Sequence, residues 1–506
     1  MNFLYERQKY KKTADNQILK RNINKDFIPN KLFLPAIETM YLIKSYKNLC
    51  LRIFIKVIII LWMAFPGEPA KAQFILSGDI DGRLSFLNMH RTVPDSLNSE
   101  TWNIASFGEL DLKYLHRKWN LYGSLFVTYN KGSTLSTLEV PGSVNAGFYE
   151  AWFRYYFTKF FSVQAGRIEI EYDDQRFFQA RDFNGLVTSH NAIIAHYLDP
   201  DTSAMADIGF AANKFDAGNG IFSTNRTVNS YRYMSYMYLY KRLFDKQLFL
   251  TFTNIFNADD NGFDKTLLYG RNTLGGSAWL SLDDLDVNLA GFYQFGHVND
   301  GRLLSAWYGA VYLSYQAASW LNLMPAFEHM SGDNYADSAE NKWMVHGFSM
   351  LYGNMTRSFG NGGVLANAYR LNLNPGLNNL YFVATVDITH NFCIEAAYHW
   401  FSLTHPYIRT YDPDSSKIII KKVPESFLHQ AEITFTYSPV HNIELTLDYQ
   451  LLFPGAGMKN FNGWKFSAGT PVTAAYIEVE WTPDFYPRKK KNREAQPWSP
   501  GHEPPR

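Results

Sequence analysis

From Gln73 onward the chain alternates apolar and polar positions, one stretch after another. Leu76, Gly78, Ile80, Gly82, Leu84 and Phe86 share one face, and Ser77, Asp79, Asp81, Arg83 and Ser85 share the other. Successive side chains of a strand point to opposite faces, so this period of two predicts a strand with one greasy and one polar side. The pattern returns with Leu110, Leu112 and Tyr114 against Glu109, Asp111 and Lys113. It returns again with Trp119, Leu121, Leu125, Val127 and Tyr129 against Asn120, Ser124, Thr128 and Asn130. Tyr149, Ala151, Phe153 and Tyr155 oppose Glu150 and Arg154, and Ile168 and Ile170 oppose Arg167, Glu169 and Glu171. Near the end Ile443, Leu445, Leu447 and Tyr449 oppose Glu444, Thr446, Asp448 and Gln450. Ile477, Val479 and Trp481 oppose Glu478 and Glu480.

Soluble sandwiches alternate too, and strand length separates the two cases. Many of these runs last roughly 11–14 residues, against ~5–6 in globular sheets. A tilted membrane-spanning strand needs ~9–11. Short turns precede new strands at Lys118-Trp119, Lys159-Phe160, Lys246-Gln247, Asp284-Leu285, Ser319-Trp320, Asn391-Phe392 and His441-Asn442. The other connections are long and polar: 131–145, 172–189, 213–229, 331–342 and 405–426. Short turns on one rim and long loops on the other mark an outer-membrane barrel. The predicted fold is therefore all-β, a transmembrane antiparallel barrel of about 18 strands (16–18) over residues 73–486. The stretch 172–205 is the least clear part. Aromatic residues near strand ends, among them Trp119, Trp152, Trp307, Trp320, Trp400 and Trp481, fit interfacial girdles.

Composition narrows the class. Aromatics make up 17 % of the 506 residues and charged residues 19 %, below the ~25 % of an average soluble domain. No run reaches the ~18 apolar residues of a spanning helix. The formal net charge of +1 excludes the basic excess of a nucleic-acid binder, and it also hides three unlike parts. Residues 1–72 hold 13 basic and 5 acidic groups, and 487–506 hold 6 and 2, which leaves −11 for the barrel. Residues 40–72 are organised as a secretory signal peptide. Lys44, Lys47, Arg52 and Lys56 precede an apolar run from Val57 to Phe65, and Ala70-Lys71-Ala72 forms the cleavage site. Residues 1–39, polar and unpatterned, are expected to be a gene-model extension before Met40. The tail 487–506 is basic and Pro-rich, as expected for a solvated periplasmic extension. Of the two cysteines, Cys50 falls in the signal and Cys393 has no mate, so neither a disulfide nor a zinc site is expected.

The sequence also resembles the alginate-export family of outer-membrane porins. Gly166-Arg167-Ile168-Glu169-Ile170-Glu171-Tyr172-Asp173-Asp174-Gln175-Arg176-Phe177 is similar to that family's strand-and-inward-loop signature, with Asp173 where the pattern has Gly. Shorter similarities follow in order at Arg271–Gly276, Tyr293–Gly296, Ser331–Asp333, Phe348–Gly360 and Leu452–Gly455. The resemblance implies an 18-stranded monomer that passes a polysaccharide or related solute. Phe485 and Tyr486 are expected to close the last strand, as the aromatic end that barrel assembly machinery reads.

The polar face carries twice as many acids as bases. A narrowing is expected at 166–182, where Arg167, Glu169, Glu171, Asp174, Arg176 and Arg181 would meet Arg154 of the wall. Charged rings set selectivity in pores, and guanidinium forks bind carboxylates bidentately. The expected function is a channel for a polysaccharide, oligosaccharide or small polar solute, without cofactor or metal, working in lipid as a monomer. The −11 opposes a long polyanion. Two alternatives stand beside it. One is a lipase-like barrel enzyme using His329 and Ser331, which share a strand face two residues apart. The other is a structural barrel with a plugged lumen.

Overall fold

The computed structural model describes residues 73–485 except 89–99, 133–142, 180–188, 213–230, 245–246, 261–266, 337–341, 354–374, 413–416, 456 and 459–470. The expected extension 1–39, signal 40–72 and tail 487–506 lie outside the described residues, as does Arg181.

The alternating runs form strands. The first ones are β1 (Gln73–Asn88), β2 (Glu100–Leu115), β3 (Trp119–Gly132), β4 (Ser143–Tyr156), β5 (Phe161–Ile168), β6 (His190–Leu198) and β7 (Ala204–Ala212). Then follow β8 (Tyr233–Leu243), β9 (Leu248–Asp260), β10 (Leu268–Leu282), β11 (Leu285–His297), β12 (Leu303–Ala318), β13 (Leu321–Met330) and β14 (Met344–Val345). The last are β15 (Leu377–Thr389), β16 (Phe392–Leu403), β17 (Tyr407–Asp412), β18 (Lys417–Lys422), β19 (Ser426–Val440), β20 (Ile443–Pro454) and β21 (Val472–Trp481). Nineteen of them belong to one sheet. The two-residue β14 lies parallel against β12, off the wall, and β17 and β18 pair only with each other. The remaining eighteen pair antiparallel with their neighbours, and β21 returns to β1 through Ile80↔Trp481 to Asn88↔Thr473. The barrel is closed, so no strand edge is left unpaired for lipid to face. The expected 16–18 strands resolve to eighteen.

All seven predicted turns lie on one rim. An eighth, 199–203 between β6 and β7, lies in the stretch where the sequence pattern is weakest. The turn between β10 and β11 has only two residues and needs a positive φ, which Asp283 supplies at 31°. The outward side chains Ile80, Val127, Ile193, Ile208, Leu289, Trp307, Trp400 and Ile477 are exposed on the isolated chain and form an apolar belt. That is the surface a lipid-embedded barrel needs.

The face assignments fail along β4 and β5. Pairing of β3 with β4 slips between Gly123 and Leu125, where Ala151 and Phe148 are the successive partners. A β-bulge of this kind puts one extra residue into a strand and re-aims its side chains. Tyr149, expected outside, is therefore buried inside beside Glu150. Trp152, expected in a girdle, faces the lumen with its ring against Tyr122 and Arg154. Gly166 follows with φ 139°, and a Cβ there would stand 2.2 Å from the Ala151 carbonyl oxygen. Only glycine fits such a kink without strain. The kink carries Ile168 and Ile170 into the interior instead of onto the lipid face. The regular part of the last strand ends at Trp481, and the following residues continue its antiparallel register along β1, through a bridge from Ser77 to Asp484, with Gly78 N–H donating to Pro483 O (3.1 Å) and Phe485 N–H to Leu76 O (3.1 Å).

Candidate pore constriction

Two segments leave the wall and fold into the lumen. Residues 169–179 follow β5, and 331–336 with 342–353 follow β13. Their apolar side chains join those of the wall in one buried cluster that includes Tyr172, Phe177, Phe178, Tyr236, Tyr238, Phe292, Tyr308, Phe348, Met350 and Tyr352. Rings set the contacts: Tyr172 stacks on Tyr238 at 4.2 Å, and Phe177 meets Phe292 edge-on at 4.7 Å. Such pairs add to what area burial supplies.

Hydrogen bonds hold the first segment in register. Tyr172 Oη donates to Asp207 Oδ2 at 2.7 Å. Tyr238 Oη and Thr251 Oγ1 donate to the two oxygens of Asp173, at 2.6 and 3.0 Å. Asp173 sits at φ 52°, in the left-handed region that asparagine and aspartate tolerate best after glycine. This explains the one departure from the family-like motif. Asp keeps the backbone turn that Gly would allow and adds two anchors to the wall. Burial pushes the Asp173 carboxyl up to about 7, against the two hydroxyl donors and the Arg176 charge, with Asp174 adding to the rise. A raised carboxyl pKa favours the protonated docked form. Its contribution is therefore full below the ordinary carboxyl range near ~4 and is lost as pH rises through about 7. The amide of Gln175 should accordingly show a higher hydrogen-exchange protection factor at pH 5 than at pH 8, and Asp173→Asn should flatten that difference.

The second segment is tied as firmly. Gln294 of β11 donates through Nε2 to Ser349 O (2.7 Å) and accepts from Ser349 N (3.0 Å), as a strand neighbour would. His346 N–H donates to Asp333 Oδ1 (2.5 Å), and its ring Nδ1 reaches Ser305 O at 2.7 Å. The two segments meet where Tyr352 N–H donates to Phe177 O at 3.2 Å beside a parallel bridge from Phe178 to Tyr352.

The sequence-predicted residues divide between these structures. Arg176 is buried, pairs with Asp174, donates to Tyr312 Oη at 2.9 Å and lies 4.4 Å over the Tyr308 ring. Tyr312 in turn donates to Glu328 Oε1 at 2.5 Å. Glu171 accepts from Gln175 Nε2 at 2.6 Å, within the same segment. Glu169 N–H donates to Glu150 Oε1 at 2.8 Å. Arg167 is buried and donates through Nε to Tyr149 O at 3.0 Å. Arg154 stands apart on the wall, where it reaches Gln164 Oε1 (3.1 Å) and His196 Nε2 (3.3 Å), and His196 Nδ1 meets Asp207 Oδ1 at 2.8 Å. The expected crowd of charges thus becomes a docked segment and a wall network that meet at Asp207, which is bound by both Tyr172 and His196. Sequence reasoning does not reach the anchors Asp173, Asp207, Tyr238, Tyr312 and Glu328. The tyrosines Tyr236, Tyr238 and Tyr240 follow a period of two along β8, and that stripe is the available signal.

Farther round the sheet, β16, β19, β20, β21, β1 and β2 carry Glu395, Glu432, Asp448, Glu478, Glu480, Asp79, Asp81, Glu109 and Asp111, while Phe401, Phe427, Leu452 and Val472 of these strands still join the buried cluster. Neighbouring strands supply partners for several of them. Arg83 binds Glu478 Oε2 at 2.6 Å, Thr434 donates to Asp448 at 2.8 Å, and Tyr122 donates to Asp111 at 2.7 Å. One carboxylate oxygen each from Asp79, Asp81 and Glu480 lies within 4.8 Å of the others. Among the described residues this is the grouping with the spacing of a cation site, but it is continuous with the acidic wall. The His329 and Ser331 side chains do not meet as an acid–base pair. His329 Nδ1 is 2.6 Å from Asn378 Oδ1 and its ring stacks on Trp307, while Ser331 Oγ donates to His346 O at 2.7 Å.

No family model matches the chain, and no curated protein sequence matches it. Solved structures do. Pseudomonas aeruginosa OccK11 (OpdR) superposes with a TM-score of 0.53 at 10% identity, covering 83% of this chain and 100% of that one. OccK2 (OpdF) of the same organism gives 0.52 at 10% identity, with 81% and 98% covered. Pseudomonas aeruginosa OpdK, solved with vanillate, gives 0.52 at 8% identity, with 82% and 100% covered. The fold is that of outer-membrane porins. With its apolar belt, it places the barrel in the outer membrane of a Gram-negative cell.

Proposed function

We propose that the barrel is a passive channel for small polar solutes and that it prefers cations to anions. The observation that carries this reading is the division of the lumen. Two inward segments pack against one part of the wall, and the acids gather along another. Glu109, Asp111, Glu395, Glu478 and Glu480 there are only partly buried. Walls of one sign concentrate counter-ions and repel co-ions.

The resemblance to alginate exporters supports a narrower version, passage of a saccharide. The acidic wall favours a neutral or cation-bearing saccharide over a polyanion. The sheet closes within one chain, which fits a monomer inserted in lipid by the barrel assembly machinery. A lipase-like activity gains no support, since Ser331 is bound to backbone groups on both sides.

Planar-bilayer recording tests the proposal. A salt gradient should give a reversal potential of cation sign, and Glu395→Gln with Glu480→Gln should move it toward zero. A clear anion preference would overturn the charge argument. A barrel silent both intact and without 172–189 would overturn the channel itself and leave a plugged structural barrel.

A further inference from the structure

Two buried arginines serve the first inward segment, Arg167 just before it and Arg176 within it, and they are answered differently. Arg176 has a carboxylate, a hydroxyl and two tyrosine rings around its guanidinium, so its charge is compensated although its Nε and Nη1 are buried without an acceptor. Arg167, 7% exposed, has a single hydrogen bond among the described residues, from Nε to the Tyr149 carbonyl, and its Nη1 is buried with no acceptor. Among those residues it also has no ion pair and no ring beneath it. The carboxylate whose charge acts on it, Glu150, accepts from the Glu169 N–H (2.8 Å) and the Trp152 Nε1–H (3.0 Å).

More donors lie in the same neighbourhood. The Arg167 charge acts on the His190 ring and the Tyr231 hydroxyl. His190 Nδ1 is 2.7 Å from Tyr231 Oη. With that hydroxyl donating to Nδ1, Nε2 carries the ring proton, and His190 Nε2 is buried without a partner among the described residues. The ring of Tyr352 lies 5.6 Å from His190 and 5.1 Å from Tyr231, and its hydroxyl is likewise buried without a partner there, as is that of Tyr149. None of these side chains is more than 7% exposed. The backbone is shaped around them, since the β4 bulge turns Tyr149 inward and the Gly166 kink delivers Arg167.

A buried cation whose carboxylate neighbour, here Glu150, makes its hydrogen bonds elsewhere is costly for a fold to hold. Orphaned buried donors in a native structure call for a missing partner. Here every orphan can donate, two of them (Arg167 Nη1 and His190 Nε2) only donate, and they come from β4, β5, β6 and the second inward segment. A water molecule would bring two hydrogens of its own and no charge. We propose that Arg167, His190, Tyr149 and Tyr352 form a resident site for a small monovalent anion of halide size. The burial of every donor excludes a solute in transit, so the anion is a structural ion that ties both inward segments to the wall. This site stands independently of whether the channel conducts.

The test uses the intact barrel purified in detergent. Its unfolding midpoint should be higher in chloride or bromide than in gluconate at equal ionic strength, and it should rise with the logarithm of halide concentration. Arg167→Met should abolish that dependence, whereas Arg83→Met, at the ion pair with Glu478 on β1 and β21, should keep it. Crystals grown in bromide should show an anomalous peak within hydrogen-bonding distance of Arg167 Nη1 and His190 Nε2. Equal midpoints in all three salts, or only water density at that position in bromide, would overturn the proposal. The bromide measurement needs no variant, so a misfolded Arg167→Met protein leaves it decisive.

Discussion

Gly353→Ala should separate the two inward segments while leaving the barrel wall intact. At Gly353 a methyl group would stand 1.7 Å from the Arg176 carbonyl oxygen and 2.3 Å from its carbon. Both atoms are backbone, so no rotamer change relieves the clash. Overpacking a core costs about 1–3 kcal/mol, occasionally more, and a clash of this depth belongs at the top of that range. The Tyr352 N–H bond to Phe177 O and the bridge beside it should break first. Hydrogen exchange should show protection lost at Tyr352 and Gln175 and kept along the β1–β2 and β10–β11 ladders. Single-channel conductance should rise, because the displaced segments no longer hold one side of the lumen. Gly291→Ala is the control, as a methyl there meets nothing within 4 Å. Unchanged protection at Tyr352 in Gly353→Ala would mean that the segments do not depend on this contact.

How much of this was legible in the sequence depends on the physics behind each feature. The wall was readable because lipid on one side and water on the other impose a strict period of two. Strands such as β1, β2 and β20 obey it over most of their length, with Ile75, Phe107 and Leu452 as apolar residues on the polar face. It fails at Tyr149, Ile168 and Ile170, where a bulge and a glycine kink break the period. Neither leaves a hydropathy signature. The site was legible in pieces. The motif Gly166–Phe177 and the patch Phe348–Gly353 were both visible as sequence similarities, yet nothing in one dimension says that they touch. Their partners on the wall, Asp207, Tyr238, Tyr312 and Glu328, are scattered over four strands and meet the loop only because the sheet closes. Charge was legible as a total and misleading as a location. The acids gather on one wall, while Arg176 disappears into a packed core.

Arg176→Met should release the first inward segment more completely than any change on its surface. The guanidinium compensates Asp174 directly and sits beside the Tyr312–Glu328 hydrogen bond. Removing one partner of a buried ion pair leaves the other charged and dry, at a cost of about 3–5 kcal/mol. Methionine fills much of the same space over the Tyr308 ring, so the loss comes from charge and hydrogen bonding more than from a cavity. Arg176→Lys separates those two parts. It keeps the charge and loses the planar group that lies over the Tyr308 ring and carries the one nitrogen, Nη2, bound to both Asp174 and Tyr312, and should fall between wild type and Arg176→Met. The pair Arg176→Met with Asp174→Asn should recover part of the stability, because the stranded carboxylate is gone. Denaturant or thermal unfolding of the segment, followed by the exchange of the Tyr352 amide, gives the ranking. If the double variant is no more stable than Arg176→Met alone, Arg176 holds the segment through Tyr308 and Tyr312 instead of through Asp174.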